Sequence, residues 1–138
     1  MRYLIDTNVL INIIEHDYIA NDVRSILSDY DNQICISSES IREFINLVQI
    51  GKIQPPQNRV KITLNLFDFI ENELNITTKY VAKEHLQTLA KLPLLDEHRD
   101  PSDRLIISQA ITEKIPLISS DQKFPKYRKY GLNFIPNY

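Results

Sequence analysis

The chain has 138 residues, 43% hydrophobic and 25% charged, with 16 basic against 18 acidic side chains. That size and balance fit one globular domain with its own core, and a net charge of −2 excludes the broad basic surface that holds duplex DNA by bulk electrostatics. A single cysteine excludes a disulfide framework, no apolar run approaches the roughly 18 residues of a membrane span, and without a cleavable signal pattern the expected location is cytoplasmic.

Residues 2–5, RYLI, are a short apolar run ended by DTN, and Val9, Leu10, Ile13 and Ile14 then recur at helical spacing. This predicts strand, turn, helix. A second helix is predicted over 19–29, where Ile19, Val23, Ile26 and Leu27 share a face, and Asp31–Asn32 breaks it. QICI at 33–36 reads as a buried strand that makes Cys35 a small core residue. SSES then caps a helix with Ile41, Phe44, Ile45 and Val48 on one side, ended by Gly51.

QPPQ at 54–57 predicts a loop, and a helix is expected near 58–72 with Val60, Leu64, Phe67 and Phe69 among its apolar positions. A short strand at 75–77 and a helix over 79–91 follow. In HRDPSDR, at 98–104, Asp100 suits an N-cap, Pro101 the first helical position, and Asp103 the positive end of a helix over 101–114. PLIS at 116–119 and LNFI at 132–135 complete the strands. The alternation implies an α/β/α sandwich: a mainly parallel central sheet of about four or five strands with helices on both faces.

An open parallel sheet gathers ligands beyond the carboxyl ends of its strands. Asp6 follows the first strand, Glu43 lies in the first turns after the second, Asp103 opens the late helix, and Asp121 follows PLISS. Four carboxylates brought together repel one another and raise one another's pKa values unless a cation joins them. Hard oxygen ligands select Mg²⁺ or Mn²⁺, and the scattered His16, His85 and His98 make no zinc set.

YLIDTNVLI, SSESIREF, HRDPSDRLIISQA and PLISSDQKF, in that order across nearly the whole chain, resemble the PIN-domain ribonucleases, and among them the VapC-like toxins of bacterial toxin–antitoxin modules. The resemblance implies one PIN domain over 1–138. It implies an acidic quartet of Asp6, Glu43, Asp103 and Asp121 that binds one or two Mg²⁺ or Mn²⁺ ions, and supporting roles for Thr7, Asn8 and Ser119, with Asp100 at the helix cap beside them. It further implies an endoribonuclease that leaves 5′-phosphate and 3′-hydroxyl ends, a homodimer, and an antitoxin partner. The sequence departs from the pattern at Ser119, Ser120 and Ser102, none of which removes a carboxylate.

KFPKYRKY, just past Asp121, supplies Lys123, Lys126, Arg128 and Lys129 interleaved with Phe124, Tyr127 and Tyr130. Cations on phosphates with aromatics against bases would hold single-stranded RNA; aromatics packed on the sheet edge are the alternative. Arg99 and Arg104 are candidate local partners of the carboxylates, and His98 is read as structural. Two other functions remain open: a degenerate PIN domain that only binds RNA or protein, and a haloacid-dehalogenase-like phosphatase, whose second acid would stand where Asn8 does.

Overall fold

The computed structural model describes residues 1–54 and 60–138. Strands β1 (Arg2–Ile5), β2 (Gln33–Ser37), β3 (Thr77–Lys79), β4 (Leu117–Ser119) and β5 (Phe134–Pro136) form one sheet in the order β3-β2-β1-β4-β5. Every neighbouring pair is parallel. The helices are α1 (Thr7–Glu15), α2 (Asn21–Ser28), α3 (Ser38–Gln49), α4 (Leu66–Asp68, continued by a π-helical turn over Phe69–Glu73), α5 (Lys83–Lys91) and α6 (Pro101–Glu113), with a 3-10 helix over Phe124–Tyr130. None among the described residues is long and apolar enough to cross a membrane.

The period-two alternation of the strands splits the core into two layers. Leu4, Cys35 and Leu117 stand side by side in register and face α6 and the 3-10 helix, packing with Ile106, Ile107, Ala110, Phe124 and Tyr127. Their neighbours Ile5, Ile36 and Ile118 face the opposite way, onto Val9 and Leu10 of α1, Val23 of α2, and Ile41 and Phe44 of α3. Both faces are thus buried, which is why the strands read as continuous apolar runs. Cys35 is buried, as expected.

The largest departure from the sequence reading is the helix near 58–72. Residues 55–59 lie outside the described residues; beyond them, 60–65 is not helical and α4 is only a short turn. Lys61 and Asn65 close a local turn, the Asn65 side chain accepting the Lys61 N–H at 2.7 Å while the Asn65 N–H returns to the Lys61 carbonyl at 3.0 Å. Val60 and Phe69 still reach the core, whereas Leu64 is 75% and Phe67 42% exposed. Downstream, Asn75 takes a left-handed conformation (φ 56°), so pairing begins only at Thr77, two residues later than the start expected for the strand. Lys79 pairs with Ser37 in β3 and is not helical, so α5 begins at Lys83. The remaining boundaries shift by one or two residues.

Chain order runs outward from β1 to β3 and then returns to the other side of β1 for β4 and β5. The switch point lies between β1 and β4, where two neighbouring strands lead into loops that diverge. Asp6 leaves β1 at this point and Ser119 ends β4.

Candidate active site

Three helix starts aim at the switch point, each set by its cap. Asp6 caps α1 by accepting the Thr7 N–H at 2.8 Å, Ser37 caps α3 by accepting the Glu39 N–H at 3.0 Å, and Asp100 caps α6 by accepting the Asp103 N–H at 3.0 Å. The positive ends of these helices favour anionic groups nearby. Glu43 comes in from the second turn of α3, and Asp121 from the turn after β4, where its carboxylate accepts the Lys123 N–H at 2.8 Å.

Asp6, Glu43, Asp103 and Asp121 all line one open cleft of about 190 Å³, together with Thr7, Asn8, Ile11 and Leu47. Potential ligand atoms of Glu43, Asp100 and Asp103 lie within 4.8 Å of one another, and so do those of His98, Asp103 and Asp121; Asp103 belongs to both groups. Asp100 is therefore both a helix cap and a neighbour of the cleft. Among the described residues, the buried Thr7 Oγ1 has no hydrogen-bond partner.

Asp6 is held most firmly. Its Oδ2 accepts Ser119 Oγ–H at 2.8 Å and Asn8 Nδ2–H at 3.2 Å, besides the Thr7 N–H on Oδ1. Ser119 Oγ in turn accepts the Asp121 N–H at 3.0 Å. Burial, followed by the charge of Asp103, nonetheless raises the Asp6 pKa to about 7 against the pull of Ser119 and Thr7. Asp103 is also raised to about 7, by burial first and then by Asp100, Glu43 and Asp121, with Lys123 opposing. A site that makes two carboxyls hard to ionise is short of positive charge.

The PIN domain family matches residues 3–130. The chain belongs to the PIN-domain family. No curated protein sequence matches it. Among solved structures, the PIN domain is similar to a chain of VapBC2 from Rickettsia felis bound to a DNA fragment from the promoter, at 20% identity and a TM-score of 0.68 over 99% of this chain and 98% of that one. It is also similar to a chain of VapBC-1 from nontypeable Haemophilus influenzae, at 16% identity and a TM-score of 0.67 over 99% and 98% of the two chains, and to one of DNA-bound VapBC from Salmonella typhimurium, at 14% identity and 0.65 over 100% and 99%. At these identities the likeness establishes a shared fold.

The fold places the remaining candidate residues as follows. Phe124 and Tyr127 are fully buried in the core and present no face to a base. Lys126 pairs with Glu97 at 3.0 Å, Arg128 lies over the Phe134 ring and donates to its carbonyl, and Lys129 lies over Tyr130. Lys123 donates its backbone N–H to Asp121, and its charge acts on Asp103 and His98. The two candidate arginines are engaged elsewhere: Arg99 pairs with Asp96 at 3.1 Å, and the buried Arg104 donates to the Leu92 and Pro93 carbonyls at 3.0 and 2.8 Å. Asn8, where a dehalogenase-like phosphatase would need its second acid, also accepts the Ser120 N–H and so bridges the β1 and β4 loops.

Two residues of this PIN domain escaped the sequence reading in their relation to the site. Asn137, buried just after β5, donates to Ser120 Oγ at 3.0 Å and accepts the Ala20 N–H at 2.8 Å. A polar residue directly after a strand's carboxyl end was the available signal. Tyr127 reaches the cleft through His98, as described below. A larger cleft of about 510 Å³ beside β3 contains the Lys79–Glu113 ion pair and lies away from the quartet.

Proposed function

We propose that this PIN domain is a divalent-metal-dependent endoribonuclease that acts as the toxin of a toxin–antitoxin pair, with residues 1–138 working as one domain. The observation that carries the reading is the convergence of Asp6, Glu43, Asp103 and Asp121 on one cleft, where burial and mutual repulsion raise two of them to about 7. The donor set fits a hard cation: carboxylate oxygens dominate, and a buried hydroxyl, Thr7 Oγ1, has no partner among the described residues. Asp6, Asp103, Asp121 and Glu43 would hold one or two Mg²⁺ or Mn²⁺ ions, supported by Thr7, Asn8, Asp100 and Ser119. The bound cation supplies Lewis acidity, which lowers the pKa of an attacking water and offsets charge on the scissile phosphate.

The chain's own groups orient that chemistry. Ser119, Asn8 and the Thr7 N–H fix Asp6 in one rotamer, so the site is arranged before substrate arrives. Lys123, next to Asp121, places a cation where a neighbouring phosphate would lie, and Lys126, Arg128 and Lys129 extend the basic rim along the 3-10 helix. The reaction is direct hydrolysis, leaving 5′-phosphate and 3′-hydroxyl ends. The relatives named above are VapBC proteins, one of them described as bound to promoter DNA, which supports an antitoxin partner and, with it, a homodimeric toxin in the cytoplasm.

Titration calorimetry of Mn²⁺ into the antitoxin-free protein, with Asp103→Asn in parallel, tests the metal site without a guess about the RNA. Saturable binding that the substitution abolishes or weakens at least tenfold is expected. No binding, or equal binding by both proteins, overturns the reading and returns Asp103 to the role of a helix-start residue.

A further inference from the structure

His98 is 4% exposed and lies on the last bend before α6. Its ring meets Phe124 and Tyr127 edge-on, with centroids 5.7 and 5.3 Å away. Its two nitrogens face different partners: Nδ1 is 2.7 Å from the Tyr127 hydroxyl, and Nε2 is 3.1 Å from Asp103 Oδ2. We propose that His98, backed by Tyr127, is a positioning residue that holds the Asp103 carboxylate in the orientation a cation requires; this rests on the metal-site reading above.

The direction of the hydrogen bonds follows from the groups themselves. With a cation bound, Asp103 is an ionised carboxylate that can only accept, so Nε2 carries the proton, and in a neutral ring Nδ1 is then the acceptor. The ring is 4% exposed, with aromatic edges against it, a setting that disfavours a charged imidazole. Tyr127 has one hydroxyl proton and two acceptors within reach, Nδ1 at 2.7 Å and the His98 carbonyl at 3.3 Å. The shorter bond takes it. The chain therefore runs Tyr127 O–H to His98 Nδ1, and His98 Nε2–H to Asp103 Oδ2.

Asp103 needs this support more than Asp6 does. Asp6 has three donors on its carboxylate, but among the described residues the side chain of Asp103 has only the His98 donor, and Asp6, Asp100, Glu43 and Asp121 all repel it. Without the imidazole, Asp103 would swing toward water and away from Glu43 and Asp121. Fixing a ligand carboxylate through a bond to its second oxygen is how outer groups tune metal sites. His98 Nε2 lies close enough to the carboxylates to be a ligand itself. However, ligation would strip the Nε2 proton and break the bond to Asp103, so the two roles have opposite signatures.

The test is Mn²⁺ titration calorimetry on His98→Leu, His98→Gln and Tyr127→Phe, each first shown to melt cooperatively without metal. Asp103→Asn serves as the reference. The expected result is about 10- to 100-fold weaker binding for His98→Leu, substantial recovery in His98→Gln because the amide restores an N–H donor, and a smaller loss in Tyr127→Phe. If His98→Leu does not fold, Tyr127→Phe and the His98→Gln comparison with wild type decide the outcome. Histidine ¹⁵N spectra, assigned by the resonance lost in His98→Gln, should keep the Nε2 proton when Mg²⁺ is added. Wild-type affinity in His98→Leu, or in Tyr127→Phe where that is the folded variant, overturns the positioning role if Asp103→Asn still abolishes binding. Loss of the Nε2 proton on adding Mg²⁺ overturns it in favour of direct ligation. If wild type itself binds no Mn²⁺, the metal-site reading falls and the positioning role with it.

Discussion

Ser119 Oγ donates to Asp6 Oδ2 at 2.8 Å, a bond that joins residues 113 positions apart and locks the ends of β1 and β4 together at the centre of the sheet. The same oxygen accepts the Asp121 N–H, so one hydroxyl orders two acids of the candidate site. Ser119→Ala leaves a buried carboxyl with one donor fewer and should cost about 1–3 kcal/mol of stability, measured by urea denaturation, with weaker Mn²⁺ binding. Ser119→Thr keeps the hydroxyl and should retain most of both. Unchanged stability and affinity in the alanine variant would contradict this role.

Stability should depend on pH in an unusual direction for carboxylates. Asp6 and Asp103 are raised from 3.8 to about 7 in the folded protein, so the folded state holds their protons more tightly than the unfolded chain. Their contribution is fully present below 3.8 and is lost as pH rises through about 7. In EDTA, calorimetric melting temperature should fall between about pH 5 and pH 8, and saturating Mn²⁺ should remove most of the fall because the ionised carboxyls gain a partner. A melting temperature that is flat or rising over that range in EDTA would contradict it.

Asp103→Asn should trade function for stability. Near pH 8 it removes one of the crowded charges while the amide oxygen can still accept from His98, so the metal-free variant should melt higher than wild type, by on the order of 5 °C. Activity should be lost in the same protein. A lower melting temperature than wild type at that pH would mean that the carboxylates are not under repulsive strain.

Much of this site was legible because it sits at strand ends. Asp6, Asp121 and Asp103 each follow a short apolar run or open a helix, and the cap at Asp100–Pro101 was readable from local chemistry. What eluded the sequence depends on tertiary placement. The interleaved lysines and aromatics of 123–130 left two readings, an RNA-binding rim or aromatics packed on the sheet edge, and the 3-10 helix turns Phe124 and Tyr127 into the core, a direction that composition does not encode. His98 read as structural, and it is buried. Its contact with Asp103 depends on how the bend before α6 packs against that helix. The apolar spacing of 60–69 resembled one helix, but the chain turns at Lys61–Asn65 and is helical only from Leu66.

The basic rim should therefore be unequal. Lys123→Glu, next to Asp121, should weaken single-stranded RNA binding several-fold and reduce the salt dependence of binding by about one ion, without weakening Mn²⁺ affinity. Lys126→Glu also breaks the pair with Glu97 and should weaken RNA binding less. Fluorescence anisotropy across a salt series measures both, and equal effects would mean that the rim acts as a diffuse field.

The most direct measurement is the cleavage of single-stranded RNA by antitoxin-free protein, with the new ends mapped chemically and Asp121→Asn as control. Cuts that need Mg²⁺ or Mn²⁺, stop in EDTA, leave 5′-phosphate and 3′-hydroxyl ends, and fall at least a hundredfold in the variant are the predicted result. Cuts that persist in EDTA, carry cyclic or 3′-phosphate ends, or survive in Asp121→Asn would contradict metal-dependent hydrolysis at this cleft.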